Sequence, residues 1–239
     1  MKRKTKKRLG ILLIVLGTLG IVLEFILIIT YDKYLSLEWA HPESRWNYLA
    51  FFTQLTNITV DLWLIVLGIA LLINIKKQYR FLTKAHVQGA LTLYILVVGL
   101  VYCAILFPVT RDVYSGRLWW GNVINIWHHV VVPIVMVVMW WRMPHKGHVS
   151  KTTLLYWMIY PMAYLVFSEI RGLITGWFPY PFLDWNTEML GGWLFPLGLA
   201  SLVGLFAGLG YIMIWFHNSK IRRRRKRPIA EAVVTAKVE

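Results

Sequence analysis

Three groups of side chains that could do chemistry interrupt an otherwise apolar chain. Thr53, Asn57 and Asp61 recur at i, i+4 and i+8, so on a helix they form one strip. His128 and His129 follow Asn125 by one turn, and adjacent histidines point about 100° apart, so only one of them faces any single cavity. Tyr160, Tyr164, Ser168 and Arg171 make a third strip with Glu169 beside it, and Glu24 stands alone among leucines and isoleucines. A threonine hydroxyl is a weak nucleophile until a neighbouring imidazole takes its proton. Donors aimed at a developing oxyanion supply the term that usually matters most in acyl transfer. Thr53 as nucleophile, His128 as base and Asn57, Asn125 or Arg171 as donors would make such a set. The same pocket, with His129, Glu24, Ser168, Glu169 and Tyr180 in its wall, could instead bind or carry a small molecule without covalent chemistry, or serve only to bond helices together.

The elements that must position these residues are membrane spans. Of 239 residues 58% are hydrophobic and 15% charged, and mean hydropathy is +0.56, which excludes an ordinary soluble domain. Six apolar runs, at 9–31, 48–75, 85–107, 120–141, 153–174 and 192–216, are each close to the ~20 residues a helix needs to cross the hydrocarbon core. The fold class is therefore all-α, a polytopic membrane protein with six transmembrane helices. A basic segment at 1–8 precedes the helical domain at 9–217, and a basic tail at 218–239 follows it. The basic start ahead of a long apolar run reads as a retained first span, since the run is too long for a signal peptide.

A formal charge of +15 would suggest nucleic acid in a soluble protein, but its placement assigns it to topology. Twenty-one of the 26 Lys and Arg fall in the two terminal segments and the loops after spans two and four, and only four in the loops on the opposite side. Both termini are thus expected in the cytoplasm, with the chain multi-pass in the cell membrane, membrane lipids as partners and no nucleic acid. Cys103 is the only cysteine, so no intrachain disulfide is possible. No metal or cofactor is expected. A haem held between histidines is disfavoured, because His86 and His217 lie at the opposite depth from His128 and His129.

With this topology Glu24, Thr53, Asn57, His128, Glu169 and Arg171, from four different spans, all fall in the outer half of the membrane. A shared polar pocket is the simplest way to satisfy them, with Glu24 either paired with Arg171 or protonated. The aromatic external segment from Gly176 to Trp185, stiffened by Pro179 and Pro181, lies over the entrance or in the interface. His86 and Gln88 are expected at the inner interface, and Gly204 with Gly208 are expected to pack helices closely.

Phe52-Thr53-x-x-Thr56-Asn57, His128 five residues before Pro133, and Tyr180-Pro181-Phe182 together resemble the Pr6Pr family of bacterial membrane proteins. That family is similar to the androgen-induced-gene family of six-span threonine hydrolases, which act on fatty acid esters of hydroxy fatty acids. The resemblance implies a nucleophilic Thr53, a His128 base and a lipid ester substrate.

The orientation is open to a direct check. A reporter enzyme active only in the cytoplasm is expected to be active when fused to the C-terminus; activity only from an exported reporter would invert the topology.

Overall fold

The computed structural model describes residues 3–34, 45–110, 119–143, 145, 148–185 and 194–235. The outer loop at 111–118, which carries Arg111 and Arg117, and Gly192 at the start of the sixth run lie outside the described residues. Among those described there is no strand, and six helices are long and apolar enough to span a membrane. The chain is a multi-pass helical membrane protein.

Helix α1 (Arg3–Tyr34) runs antiparallel to α2 (Phe52–Leu72), joined in part by a 3-10 turn, Arg45–Ala50. A short basic helix α3 (Lys76–Leu82) leads to α4 (Ala85–Val101), which passes through a π-turn, Tyr102–Leu106, into α5 (Phe107–Thr110). The fourth span is built of α6 (Trp119–Ile126), a π-turn at Trp127–Val131, and α7 (Val132–Arg142). Helices α8 (Thr152–Thr175) and α9 (Leu194–Thr235) complete the bundle. The tail, expected as a separate segment, continues α9 in helix through the basic run as far as Thr235.

The helices of the second and third spans form the centre. Over their apolar windows 56% of residues are buried, against 22% in the first and sixth spans. Val60, Leu64, Leu67, Leu93, Ile95, Met136 and Trp157 make the interior. Ile11, Val15, Phe25, Leu155, Ile159 and Leu197 face outward, as lipid-contacting positions must.

Small residues let α1 and α2 approach. A Cβ on Gly17 would fall 2.4 Å from the Asp61 carbonyl oxygen, and one on Gly68 would fall 2.6 Å from that of Gly10. Gly204 and Gly208, expected to pack, meet nothing within 4 Å, because α9 turns that face away from the rest of the chain.

Prolines free carbonyls inside the bilayer, and each freed group needs a partner. Pro161 removes the donor for the Trp157 carbonyl, which accepts the Tyr94 hydroxyl at 2.8 Å instead. Pro133 follows the π-turn that carries His128 and His129. Gly99 of α4 backs onto the His129 carbonyl there, its Cβ position only 2.7 Å from that oxygen.

At the end of the bundle near α3, Asn218 clamps Val149: its side chain accepts from the Val149 amide at 3.0 Å and donates to the Val149 carbonyl at 2.8 Å. Gln88, expected at the interface, is fully buried, because α4 is central and turns this position inward.

Close packing makes a prediction about glycine. Gly17→Leu is expected to destabilise the protein by roughly 1–3 kcal/mol or more, the cost of overpacking a tight contact, and Gly204→Leu to leave stability unchanged. Thermal unfolding in detergent reads both; equal behaviour would contradict the α1–α2 contact.

Candidate functional site

The polar groups collect in two places. The first is built around the π-turn of the fourth span. An extra residue per turn there re-aims the side chains that follow, a feature common at functional sites. His128 is 2% exposed, and its Nε2 lies 3.4 Å from Glu24 Oε1 of α1 and 3.7 Å from Asp61 Oδ2 of α2. Glu24 also accepts a hydrogen bond from the Tyr48 hydroxyl. The Gln54 amide, with its nitrogen towards the acid, donates to both Glu24 oxygens at 3.0 Å. Asp61 is fully buried, and neither of its carboxylate oxygens has a hydrogen-bond donor. Its carboxylate fills the space in which a side chain on Gly20 would sit, with Oδ2 2.2 Å from that Cβ position. Asn57, one turn earlier on α2, is likewise fully buried with both amide atoms unpartnered.

His129 takes no part in this cluster. Its Nδ1 is 2.9 Å from the Asn125 carbonyl oxygen, and its ring stacks on Tyr102 at 3.9 Å. The question of which histidine faces the acids is thereby answered: it is His128. Asn125 enters through its backbone.

The second place is the start of α2. Phe51 provides no side-chain cap, so the first amides of the helix need outside acceptors. Tyr180, from the segment after α8, accepts from the Thr53 amide at 3.1 Å and shares a 2.8 Å hydrogen bond with its hydroxyl. Burial pushes the Tyr180 phenol up to about 12, so it stays protonated at neutral pH. Gly176, at φ 68°, ends α8 and turns the chain back. Phe178 fills the space beside Gly172, and Trp177 and Tyr180 pack edge-on to Phe51.

Beneath this pair lies an apolar slot of about 60 Å³. Val98 and Val101 of α4, Leu165 of α8, Phe182, and Leu202 and Phe206 of α9 form much of its wall. Phe52 anchors it, its ring 5.1 Å from those of Tyr160 and Tyr164 and 5.7 Å from Phe206. Thr53 and Tyr180 place hydroxyls in this wall.

The residues expected in one pocket are therefore divided. Thr53 and Tyr180 border the slot, and Glu24 and His128 form the buried cluster. Glu24 is not paired with Arg171. That guanidinium lies on α8, where it donates to Asn47 Oδ1 at 2.6 Å and to the Trp177 carbonyl at 3.1 Å, and stacks 4.3 Å from the Trp177 ring. Ser168 is fully buried on α8, and Glu169 lies near Asp184. Thr53 and His128 share no hydrogen bond: the threonine is taken by Tyr180 and the imidazole by two acids. Tyr48 and Gln54 are cluster members that the sequence reading missed. Gln54 could have been found, since it stands seven residues before Asp61 and so on the same face; Tyr48 lies in a 3-10 turn, where helical spacing says nothing.

Fold and site together define a multi-pass helical membrane protein with an ionisable cluster inside its bundle. No family model, no curated protein and no solved structure matches the chain.

Tyr180→Phe is expected to cost about 1–3 kcal/mol, since it strips the Thr53 amide and hydroxyl of their partner. An unchanged midpoint of thermal unfolding would show that the cap contributes nothing.

Proposed function

We propose that the protein binds a lipid-like molecule, without covalent chemistry, in the slot between α4, α8, α9 and the segment after α8. The supporting observation is the Thr53–Tyr180 pair at the slot wall. Tyr180 accepts from the Thr53 amide, and one further hydrogen bond joins the two hydroxyls. Two hydroxyl hydrogens are available and that bond uses one, so one remains to donate to a ligand. An apolar wall with a single donor fits the end of an acyl chain beside a carbonyl or ester oxygen, and a volume of about 60 Å³ takes the few carbons nearest that oxygen while the rest of the chain lies outside the slot.

The same geometry disfavours an ester hydrolase. A nucleophile needs a base to take its proton, and Tyr180, protonated at neutral pH, offers a donor instead. His128 is engaged by Glu24 and Asp61. The concentration of Lys and Arg at the termini and in the loops after spans two and four supports a slot in the outer half of the membrane, within reach of lipid from the outer leaflet.

A fatty acid carrying a photoreactive diazirine tests this reading. In membranes it is expected to label residues of the slot such as Leu202 and Phe206, to be competed by unmodified fatty acid, and to lose labelling in the slot-filling variant Val98→Trp. The double variant Thr53→Ala/Tyr180→Phe, which removes both hydroxyls, should weaken binding about tenfold, equivalent to ~1.4 kcal/mol for one lost hydrogen bond, whereas either single variant leaves one hydroxyl hydrogen to donate. Labelling with no preference for the slot would overturn the proposal. So would labelling by a fluorophosphonate probe that Thr53→Ala abolishes, since it would restore the nucleophile.

A further inference from the structure

We propose that Glu24, His128 and Asp61 form a proton-binding site inside the bilayer, in which Asp61 carries the exchangeable proton. The inference is independent of any ligand in the slot.

The geometry supplies the reasons. All three side chains are 2% exposed or less, and a net charge so deep in a membrane protein costs several kcal/mol unless it is compensated. With both carboxylates ionised and the imidazole neutral the cluster carries two negative charges, so neutrality requires two protons among three sites. Among the described residues, the groups facing the cluster from each packed element carry no charge that would balance it. Gly17 and Gly20 of α1 have no side chain, and the 3-10 turn offers the Tyr48 hydroxyl. On α2 stand Gln54 and Asn57, which are neutral amides. Beside His128 on the π-turn, His129 is buried in a stack with Tyr102 of the neighbouring π-turn.

The donors decide where the protons reside. Glu24 receives the Tyr48 hydroxyl and the Gln54 amide and has His128 Nε2 at 3.4 Å, so of the two acids it is the one better supplied with donors to a carboxylate. Its negative charge in turn favours an imidazolium at His128. Asp61 has only the His128 Nε2 contact, at 3.7 Å, and no donor in hydrogen-bond geometry on either oxygen, which suits a neutral carboxylic acid. Loading is one balanced step: an O–H bond of hydronium breaks, leaving water, as an O–H bond forms on an Asp61 oxygen, and the cluster passes from one net negative charge to none.

Infrared spectra of the full-length protein in lipid membranes test the site. A protonated-carboxyl C=O band, shifted in D₂O and lost as pH rises, is expected. Labelling with ¹³C-aspartate should move it, and labelling with ¹³C-glutamate should not. Because the extra proton exists only to balance two carboxylates against one imidazolium, the band should vanish in Glu24→Gln as well as in Asp61→Asn. It should persist in His128→Gln, where no imidazolium remains and both acids must protonate. The labelling arm needs no variant and stands even if one fails to fold. A wild-type protein without such a band, a band that moves with glutamate, or a band that survives Glu24→Gln would each overturn the proposal.

Discussion

The constraint on which the structure depends is the cost of holding Glu24, Asp61 and His128 away from water. A charged side chain near the bilayer centre costs about 2.5–3.5 kcal/mol on insertion scales, and more where it has no partner. Three such groups from three spans reduce that cost by meeting one another. The meeting sets the packing around it. Asp61 enters a space that Gly20 leaves free, and Gly17 lets α1 lie against the α2 backbone at the same level. The π-turn at Trp127–Val131 turns His128 towards the acids and leaves His129 to stack on Tyr102.

A second consequence of the bilayer is that a backbone carbonyl freed by a proline gains from a partner within the protein. Pro161 releases the Trp157 carbonyl, and Tyr94 reaches across from α4 to take it. That contact joins α4 to α8 directly below the aromatic rings around Phe52, and so helps to shape the floor of the slot. At its upper end the unpaired first turn of α2 recruits Tyr180. The slot is thus bounded by two repairs of backbone hydrogen bonding, which explains why its few polar groups are hydroxyls.

The six spans were legible because apolar length and charge placement are properties of the sequence itself, and the strip Thr53, Asn57, Asp61 was legible because 3.6-residue periodicity is local. The partition of that strip between two sites was not. Thr53 and Asp61 are eight residues apart on one helix, yet one is claimed by a tyrosine 127 positions later and the other by a histidine on the fourth span. Distances across a bundle follow from helix rotation, and a π-turn changes rotation without leaving a clear mark in composition. For the same reason Arg171 was expected beside Glu24: both were placed at similar depth, but depth alone does not say which faces meet. Gln88 was misplaced because depth near a helix end was taken for exposure, whereas α4 is surrounded at that level.

The central claim is that His128 belongs to the acids and not to Thr53. Solid-state NMR on the protein in lipid bilayers, with ¹⁵N-histidine and ¹³C-carboxyl labels, measures it most directly. The account predicts that the His128 ring nitrogen couples to the side-chain carboxyl carbons of both Glu24 and Asp61, and that its shifts are those of an imidazolium. A neutral His128 ring without coupling to either carboxyl, and in contact with the Thr53 side chain, would contradict it and return the pair to the role of nucleophile and base.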